Sequence, residues 1–196
     1  MRVIAGTARR MRLVTPDGMD TRPTQDIIKE TLFNILMPYI PGSVFLDLCA
    51  GSGQIGIEAL SRGAKKAYFV ESGRAAASCI QKNLHTTHFE ETGILLRQDA
   101  VGALRHIHEK EVDLIYMDPP YESDTALRLL SALAQQPYVT EDTIIIIETS
   151  LDSDLESAAD MGFEIYREKD YRTNRHLFLR RSAAAEEHTD TTGGEL

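Results

Sequence analysis

Short, continuous apolar runs alternate with helix-like segments along most of the chain, and this alternation limits the possible fold more than any other feature. The runs hold almost no polar residues, as at 144–147, which are all isoleucine, so both faces of each strand must be buried. Strands of this kind form parallel sheets covered by helices on both sides. We therefore predict an α/β fold, Rossmann-like, with a mostly parallel twisted sheet. The predicted strands lie near 44–49, 67–71, 94–98, 112–117 and 143–149, and the predicted helices near 54–62, 74–84, 100–109, 125–135 and 155–161.

The two ends of this alternating region have a different pattern. Residues 2–14 are predicted to form an N-terminal β-hairpin appended to the core, and a helix should follow with Thr24 as its N-cap. Residues 163–168 and 175–180 are predicted to pair as a closing antiparallel hairpin, because a short polar turn joins them instead of a crossover helix.

Length and composition favour one domain. A chain of 196 residues with 42% hydrophobic content can bury one sizeable core. We predict a domain over 1–181, made of the hairpin extension at 1–20 and a core at 21–181, followed by an acidic, disordered tail at 182–196.

No sequence signal points to a membrane, to export or to a metal. No apolar run approaches the roughly 18 residues of a membrane span, and the N-terminus lacks the features of a signal peptide, so we expect a cytoplasmic protein. Cys49 and Cys79 are far apart in apolar surroundings, which favours two buried thiols over a disulfide. His85 and His88 have helical spacing but no third ligand nearby, so no metal site is expected.

The charge is unevenly distributed. A net charge of −9 argues at first against a polyanionic partner, because nucleic-acid affinity rests largely on Lys and Arg. The arginines nevertheless concentrate near the N-terminus and in a second run at 167–181, on either side of an acidic body. These segments either contact phosphates or are solvated strand faces, and the pattern alone does not decide between them. The candidates for phosphate contacts are Arg2, Arg9, Arg10, Arg12, Arg172 and Arg175.

A glycine-rich loop directly follows the first predicted core strand. Gly51, Gly53 and Gly56 fit G-x-G-x-x-G between a strand and a helix, where glycines allow a tight turn and a close approach of a ligand to the backbone. Glu71 lies 20 positions beyond Gly51 at the next strand end, where a carboxylate can accept hydrogen bonds from ribose hydroxyls. This pattern fits both a dinucleotide and S-adenosylmethionine (SAM).

A carboxylate before the loop favours SAM. Asp47 would repel a pyrophosphate, whereas it would attract the cationic sulfonium and amino group of SAM. Asp99, at the third strand end, is placed to accept from the adenine amino group. Either carboxylate could alternatively cap a helix. Ala50 and Ala100 belong to the same predicted cofactor-binding turns.

A second motif, Asp118-Pro119-Pro120-Tyr121, stands at the end of the fourth predicted strand. An exocyclic base amine is a poor nucleophile because its lone pair is delocalised into the ring. The Asp118 carboxylate and the Pro119 carbonyl could accept its protons and localise that pair, while the prolines stiffen the turn and Tyr121 offers a face for stacking a base. A proline turn that merely ends a strand is the structural alternative.

Together these motifs resemble the class I SAM-dependent methyltransferases with a [DN]-P-P-[YF] signature, and more closely the RsmD family of bacterial 16S rRNA guanine-N2 methyltransferases. The similarity extends from the N-terminus to about residue 181. Its segments are 2–6, 22–24, 30–34, 47–56, 58–63 and 118–121. Departures from the common family pattern are Cys49, where an aromatic residue is usual, and Ser72-Gly73, where an acidic residue often follows Glu71.

The resemblance implies roles for individual residues. The cofactor would be SAM, held by the loop residues and strand-end carboxylates named above, with residues 22–24, including Arg22 and Thr24, closing over it. The residues of the second motif would hold the target guanine, and the two basic segments would approach RNA. The implied partner is 16S rRNA in the small ribosomal subunit, and we expect a monomer.

Three rival functions remain open on the sequence alone. The chain could methylate another base or site, such as N6 of adenine in rRNA or DNA. It could be an NAD-dependent oxidoreductase that uses the same glycine motif. It could also be an RNA-binding assembly factor without catalytic activity.

Overall fold

The computed structural model describes residues 1–16, 23–120, 124–153 and 155–183, which form a seven-stranded sheet between two layers of helices. The helices are α1 (Pro23–Leu36), α2 (Gln54–Ser61), α3 (Arg74–Thr87), α4 (Ala100–Ala103) and α5 (Thr125–Ala134). The strands are β1 (Val44–Leu48), β2 (Lys66–Val70), β3 (Gly93–Leu96), β4 (Leu114–Met117), β5 (Ile144–Ser150), β6 (Phe163–Asp170) and β7 (Asn174–Arg181). Short 3-10 helices lie at Met37–Tyr39, Leu104–His106 and Glu156–Met161. Within these ranges, no helix is both long and apolar enough to cross a membrane.

The strand order is β3-β2-β1-β4-β5-β7-β6. Strands β1 to β5 are parallel, and β7 inserts antiparallel between β5 and β6, so the predicted parallel sheet and closing hairpin are both confirmed. The order reverses beside β1, since β2 and β3 lie on one side and β4 and β5 on the other. The loops that follow β1 and β4 therefore diverge, and the crevice between them is where ligands bind in open α/β sheets.

The core has two layers because successive residues of a strand point to opposite faces of the sheet. Phe45 of β1 and Phe178 of β7 pack with the layer that contains α1, α2 and α3. Leu46 and Leu177, their neighbours along the same strands, pack with α4 and α5. This burial on both faces explains why the sequences of β1, β4 and β5 are mostly continuous apolar runs instead of alternating.

The predicted N-terminal β-hairpin is short. Arg2 and Arg12 form an antiparallel bridge, backbone hydrogen bonds join Val3 to Arg10 and Met11, and the turn between them donates from Thr7 N–H to the Ser61 carbonyl of α2. Val3, Ala8 and Leu13 are buried in the core, so this hairpin packs against the rest of the fold. The segment is part of the layer that covers the sheet.

Two further boundaries differ from the predictions. Helix α1 includes Pro23, so Thr24 lies in its first turn and is not the N-cap. The helix expected at 100–109 is shorter than predicted. Its α-helical part, α4, ends at Ala103, and a 3-10 helix follows it to His106. Of the predicted disordered tail, residues 184–196 lie outside the described ranges.

Candidate active site

The loops that follow β1 and β4 open onto a cavity of about 960 Å³ at the carboxyl end of the sheet. Ligand pockets commonly span about 300–1,000 Å³, so this one is large. The structure brings residues of both predicted motifs to its wall, namely Asp47, Ala50, Gly51, Glu71, Ala100, Asp118, Pro119 and Pro120. Motifs that are distant in sequence thus face one shared space.

The three loop glycines meet different requirements. Gly51 and Gly53 have φ of 56° and 78°, in the left-handed region that favours glycine. Gly56 packs α2 against β2, since a Cβ atom there would lie 2.4 Å from the ring of Phe69. Gly53 and Gly56 therefore shape the loop. Of the three, Gly51 is the one that lines the cavity. Cys49, just before the loop, also adopts a positive φ of 64°, a conformation that costs a non-glycine residue free energy.

Asp47 is a buried carboxyl group at the base of the loop. Its side chain is 1% exposed, and Oδ2 accepts a hydrogen bond of 3.0 Å from the backbone N–H of Gly56. Burial, reinforced by the negative charges of Asp118 and Glu71, raises the pKa of Asp47 to about 8 despite that hydrogen bond. A cation placed against Asp47 would favour its ionised form, so the site is suited to a positively charged ligand.

Glu71 lies beside the same loop. Its Oε2 accepts from the N–H of Gly51 at 2.9 Å and its Oε1 from the N–H of Gly73 at 2.6 Å. These bonds fix the carboxylate at the cavity wall. The position of Glu71 is compatible with the predicted contact to ribose hydroxyls, which stays a prediction.

Asp99 serves as the N-cap of α4. Its Oδ1 accepts from the N–H of Gly102 at 2.8 Å, which is the alternative role that the sequence left open. Its neighbours Gln98 and Ala100 line the described cavity wall. An adenine contact by Asp99 stays a prediction, and Gln98 is a polar side chain at this position that the sequence analysis missed.

Asp118, Pro119 and Pro120 follow β4 and face the cavity from the opposite side. Asp118 is exposed to the cavity that it lines. Partial desolvation of its carboxyl group, together with the negative charge of Glu148, raises the pKa of Asp118 to about 7. Its carboxyl group can thus both accept hydrogen bonds and exchange a proton near neutral pH.

Some predicted site residues cannot be placed. Arg22 and Tyr121 lie outside the described residues, as does the side chain of Thr24. Their proposed roles stay predictions.

A buried polar network beside Asp118 was not predicted. The Glu148 carboxylate accepts hydrogen bonds from the Tyr116 hydroxyl at 2.5 Å and from Asn174 Nδ2 at 2.5 Å, and His176 Nε2 lies 3.1 Å from it. The Tyr171 hydroxyl lies 3.0 Å from His176 Nδ1. One sequence signal could have identified Glu148: it interrupts the apolar run of β5 near its carboxyl end, as Asp47 does in β1. Nothing local marks His176, which only strand pairing brings to Glu148.

A buried charge cluster fastens the N-terminal segment to α2. The fully buried Glu58 carboxylate accepts from the N–H groups of Ile4 and Ala5 at 2.8 and 3.0 Å. It also pairs with Arg62 at 2.8 Å and Lys29 at 3.8 Å. Because α2 begins at the glycine loop, these bonds fix the N-terminal segment relative to that loop.

The N-terminal arginines lie on the surface of this fastened segment. Arg9, Arg10 and Arg12 are exposed, and within the described ranges no ion pair involves them. Arg2 is exposed but pairs with Asp26 at 3.1 Å. Met1 at the start of the same segment lines the cavity, so these positive charges lie on the segment that borders the site.

Two arginines of the C-terminal basic run form ion pairs within their own hairpin. Arg175 pairs with Glu168 and Asp170, at 3.4 and 3.1 Å, and Arg180 pairs with Glu164 at 2.5 Å. Arg172 is exposed at the turn between β6 and β7. Arg167 and Lys169 are exposed on β6, and no ion pair between described residues involves them, so both predicted basic segments offer unpaired positive charge.

The strand order, the glycine loop that follows β1 and the acidic proline turn that follows β4 define a class I methyltransferase. The chain belongs to the family described as Conserved hypothetical protein 95, whose model matches residues 1–180. The resemblance stated from the sequence is confirmed.

Relatives and solved structures agree with this assignment. Ribosomal RNA small subunit methyltransferase D of Haemophilus influenzae is 38% identical over 79% of this chain and 81% of its own length. The protein of the same name in Escherichia coli is 29% identical over 97% of this chain and 94% of its own. The solved structure of the Escherichia coli protein yhhF superposes with a TM-score of 0.78 and 29% identity, covering 93% of this chain and 98% of that one. The solved structure of a Haemophilus influenzae protein superposes with a TM-score of 0.76 and 31% identity. The match covers 92% of this chain and 98% of that one.

Proposed function

We propose that the protein transfers a methyl group from SAM to the exocyclic N2 amine of a guanine in 16S rRNA of the small ribosomal subunit. The observation that carries this proposal is the shared cavity, in which Asp118 and Pro119 face the glycine loop and Asp47. The names of the relatives supply the rRNA of the small subunit as substrate.

The residues present fit SAM. A buried carboxyl group whose pKa is raised to about 8 gains from a cationic neighbour, and a nicotinamide dinucleotide pyrophosphate would instead add negative charge there. Asp47, Gly51 and Glu71 would hold the cofactor, with Ala50, Gln98 and Ala100 along its path. Bound SAM supplies a methyl group on a positively charged sulfur.

The residues of the chain would orient the target amine, accept its hydrogen bonds and take up the proton that it loses. Asp118 and the Pro119 carbonyl would accept from the N2 amine, which directs the nitrogen lone pair towards the methyl group. Once nitrogen carries the methyl group it must lose a proton, and the Asp118 carboxylate can take it because its pKa is raised to about 7. Tyr121 would stack on the extruded base.

The surface near the cavity suits rRNA. Arg9, Arg10 and Arg12 would contact phosphates and position the RNA, and Arg172 would add a contact from the other basic segment. Arg2 and Arg175 would first have to exchange their ion pairs for phosphates. We propose that the protein acts as a monomer in the cytoplasm, where the subunit is found.

Methyl transfer from labelled SAM to 30S particles, naked 16S rRNA and DNA tests this function, with mass spectrometry to locate the modified base. We expect N2-methylguanine in 16S rRNA. Label on adenine, or on DNA alone, would refute the assignment, and binding of NAD without SAM would place the protein in another class.

Asp118→Ala separates chemistry from cofactor binding. We expect the variant to lose transfer while its SAM dissociation constant stays within about threefold of wild type, because Asp118 acts on the amine. An equal loss of both would mean that Asp118 mainly builds the cofactor pocket.

A further inference from the structure

We propose that Glu148 selects guanine: beside Asp118, it accepts the N1–H of the target base, so that the site rejects purines whose N1 carries a lone pair. This inference rests on the proposed function and adds a specificity residue to it.

Strand register places the two carboxylates side by side. Met117 of β4 pairs in parallel with Ile147 of β5, so Asp118 and Glu148 are the next positions on adjacent strands and point to the same face of the sheet. Both line the cavity together with Pro119 and Pro120. A base held by Asp118 through its amine therefore has Glu148 as its neighbour.

The surrounding residues hold Glu148 in place and keep it ionised. Burial alone would raise its pKa, but hydrogen bonds from His176, Tyr116 and Asn174 hold the pKa of Glu148 below its ordinary value. Tyr171 can donate to His176 Nδ1, which leaves Nε2–H directed at Glu148. The side chain nevertheless keeps 17% of its surface exposed on the cavity wall.

This arrangement is unfavourable for the ligand-free fold. Two neighbouring carboxylates repel each other, and the charge of Glu148 contributes to the raised pKa of Asp118. A network that served only to join β5 to β7 would not need a second negative charge at the cavity. Perturbed carboxyl groups that meet in a cleft are typical of functional sites.

Guanine is the purine whose edge matches two adjacent acceptors. Its N1–H and N2 amine are neighbouring hydrogen-bond donors on the Watson–Crick edge, and a flipped base is read along that edge. Adenine has a lone pair at N1, which an ionised Glu148 would repel. A buried acceptor left facing a lone pair loses its hydrogen bond and keeps its desolvation penalty.

The test compares guanine with 2-aminopurine at the modified position of 16S rRNA, introduced by ligation and assembled into 30S particles. 2-Aminopurine keeps the N2 amine but has a lone pair at N1. We expect wild type to methylate guanine faster by about 10-fold or more. Glu148→Gln offers an amide N–H to that lone pair, so its guanine preference should fall by about 10-fold or invert.

Two control variants distinguish recognition of the base by Glu148 from a general disturbance of the structure. Glu109→Gln makes the same chemical change on a carboxylate that pairs with Lys66 and Tyr68 outside the cavity wall, and it should keep the wild-type rates. Tyr171→Phe loosens the network but leaves the Glu148 carboxylate, so it should keep the guanine preference.

Two results would overturn the proposal. One is a Glu148→Gln variant, folded by circular dichroism, with the wild-type ratio of guanine to 2-aminopurine methylation. The other needs no variant and is equal rates of wild type on both bases. Failure of wild type to methylate the guanine particle would instead refute the proposed function.

Discussion

Asp47→Asn tests the electrostatic basis of cofactor binding. The substitution keeps the size of the side chain and an oxygen that can accept from Gly56 N–H, but it removes the ionisable group. Because burial raises the pKa of Asp47 to about 8, the ligand-free protein holds this carboxyl protonated at neutral pH. Binding of a cationic ligand should therefore expel a proton.

The expected magnitude follows from this pKa. About 1% of Asp47 is ionised at pH 6 and about half at pH 8, so SAM affinity should rise about 50-fold over that range if the bound carboxylate stays ionised. At pH 7 binding should release about 0.9 proton. S-adenosylhomocysteine lacks the sulfonium charge and should show a weaker pH dependence, and Asp47→Asn should show none from this group.

Isothermal titration calorimetry in buffers of different ionisation enthalpy measures both the affinity and the released proton. Asp118→Asn is the matched control, because the pKa of Asp118 is also raised, to about 7. If the linkage persists in Asp118→Asn and vanishes in Asp47→Asn, Asp47 is the responsible group. Wild-type affinity that is constant from pH 6 to 8, without proton release, would refute the reasoning.

The raised pKa of Asp47 also predicts the direction in which the folding stability of the ligand-free protein changes with pH. The folded chain keeps a proton on Asp47 that the unfolded chain loses above its ordinary pKa of 3.8, so this group's contribution to stability falls as pH rises from about 4 to 8. Asp47→Asn should therefore raise the melting temperature of the ligand-free protein at pH 8 more than at pH 4. An equal shift at both values would argue against a buried, protonated Asp47.

Three further predictions concern packing and charge. Gly56→Ala should destabilise the fold by about 1–3 kcal/mol in denaturant unfolding, because its Cβ would meet the ring of Phe69; an unchanged midpoint would contradict the observed packing. Glu58→Gln should cost about 3–5 kcal/mol, measured in the same way, since it leaves the buried Lys29 and the partly buried Arg62 without their counter-charge; a loss below about 1 kcal/mol would mean that they find other partners. Arg9→Glu with Arg10→Glu should weaken binding to 16S rRNA and flatten its salt dependence in filter-binding assays, with SAM affinity unchanged; an unaltered salt slope would exclude this surface as the RNA contact.

The local sequence determined the order and type of nearly all elements. The short apolar runs around β1, β4 and β5 are typical of strands buried on both faces, and Gly51, Gly53 and Gly56 mark the turn that follows the first of them. Carboxylates at strand ends could be found in the same way, because the carboxyl ends of parallel strands meet along one edge. These signals are local, and neighbouring residues suffice to read them.

Tertiary structure decided which of these residues share a site. The reversal of strand order beside β1 puts the Asp118 turn opposite the glycine loop, and only the pairing of β5 with β7 brings His176 to Glu148. The N-terminal segment joined the core because Glu58 supplies acceptors for its backbone, a contact that its own sequence does not indicate. Hydrogen bonds between distant residues depend on chain topology, so a local pattern cannot predict them.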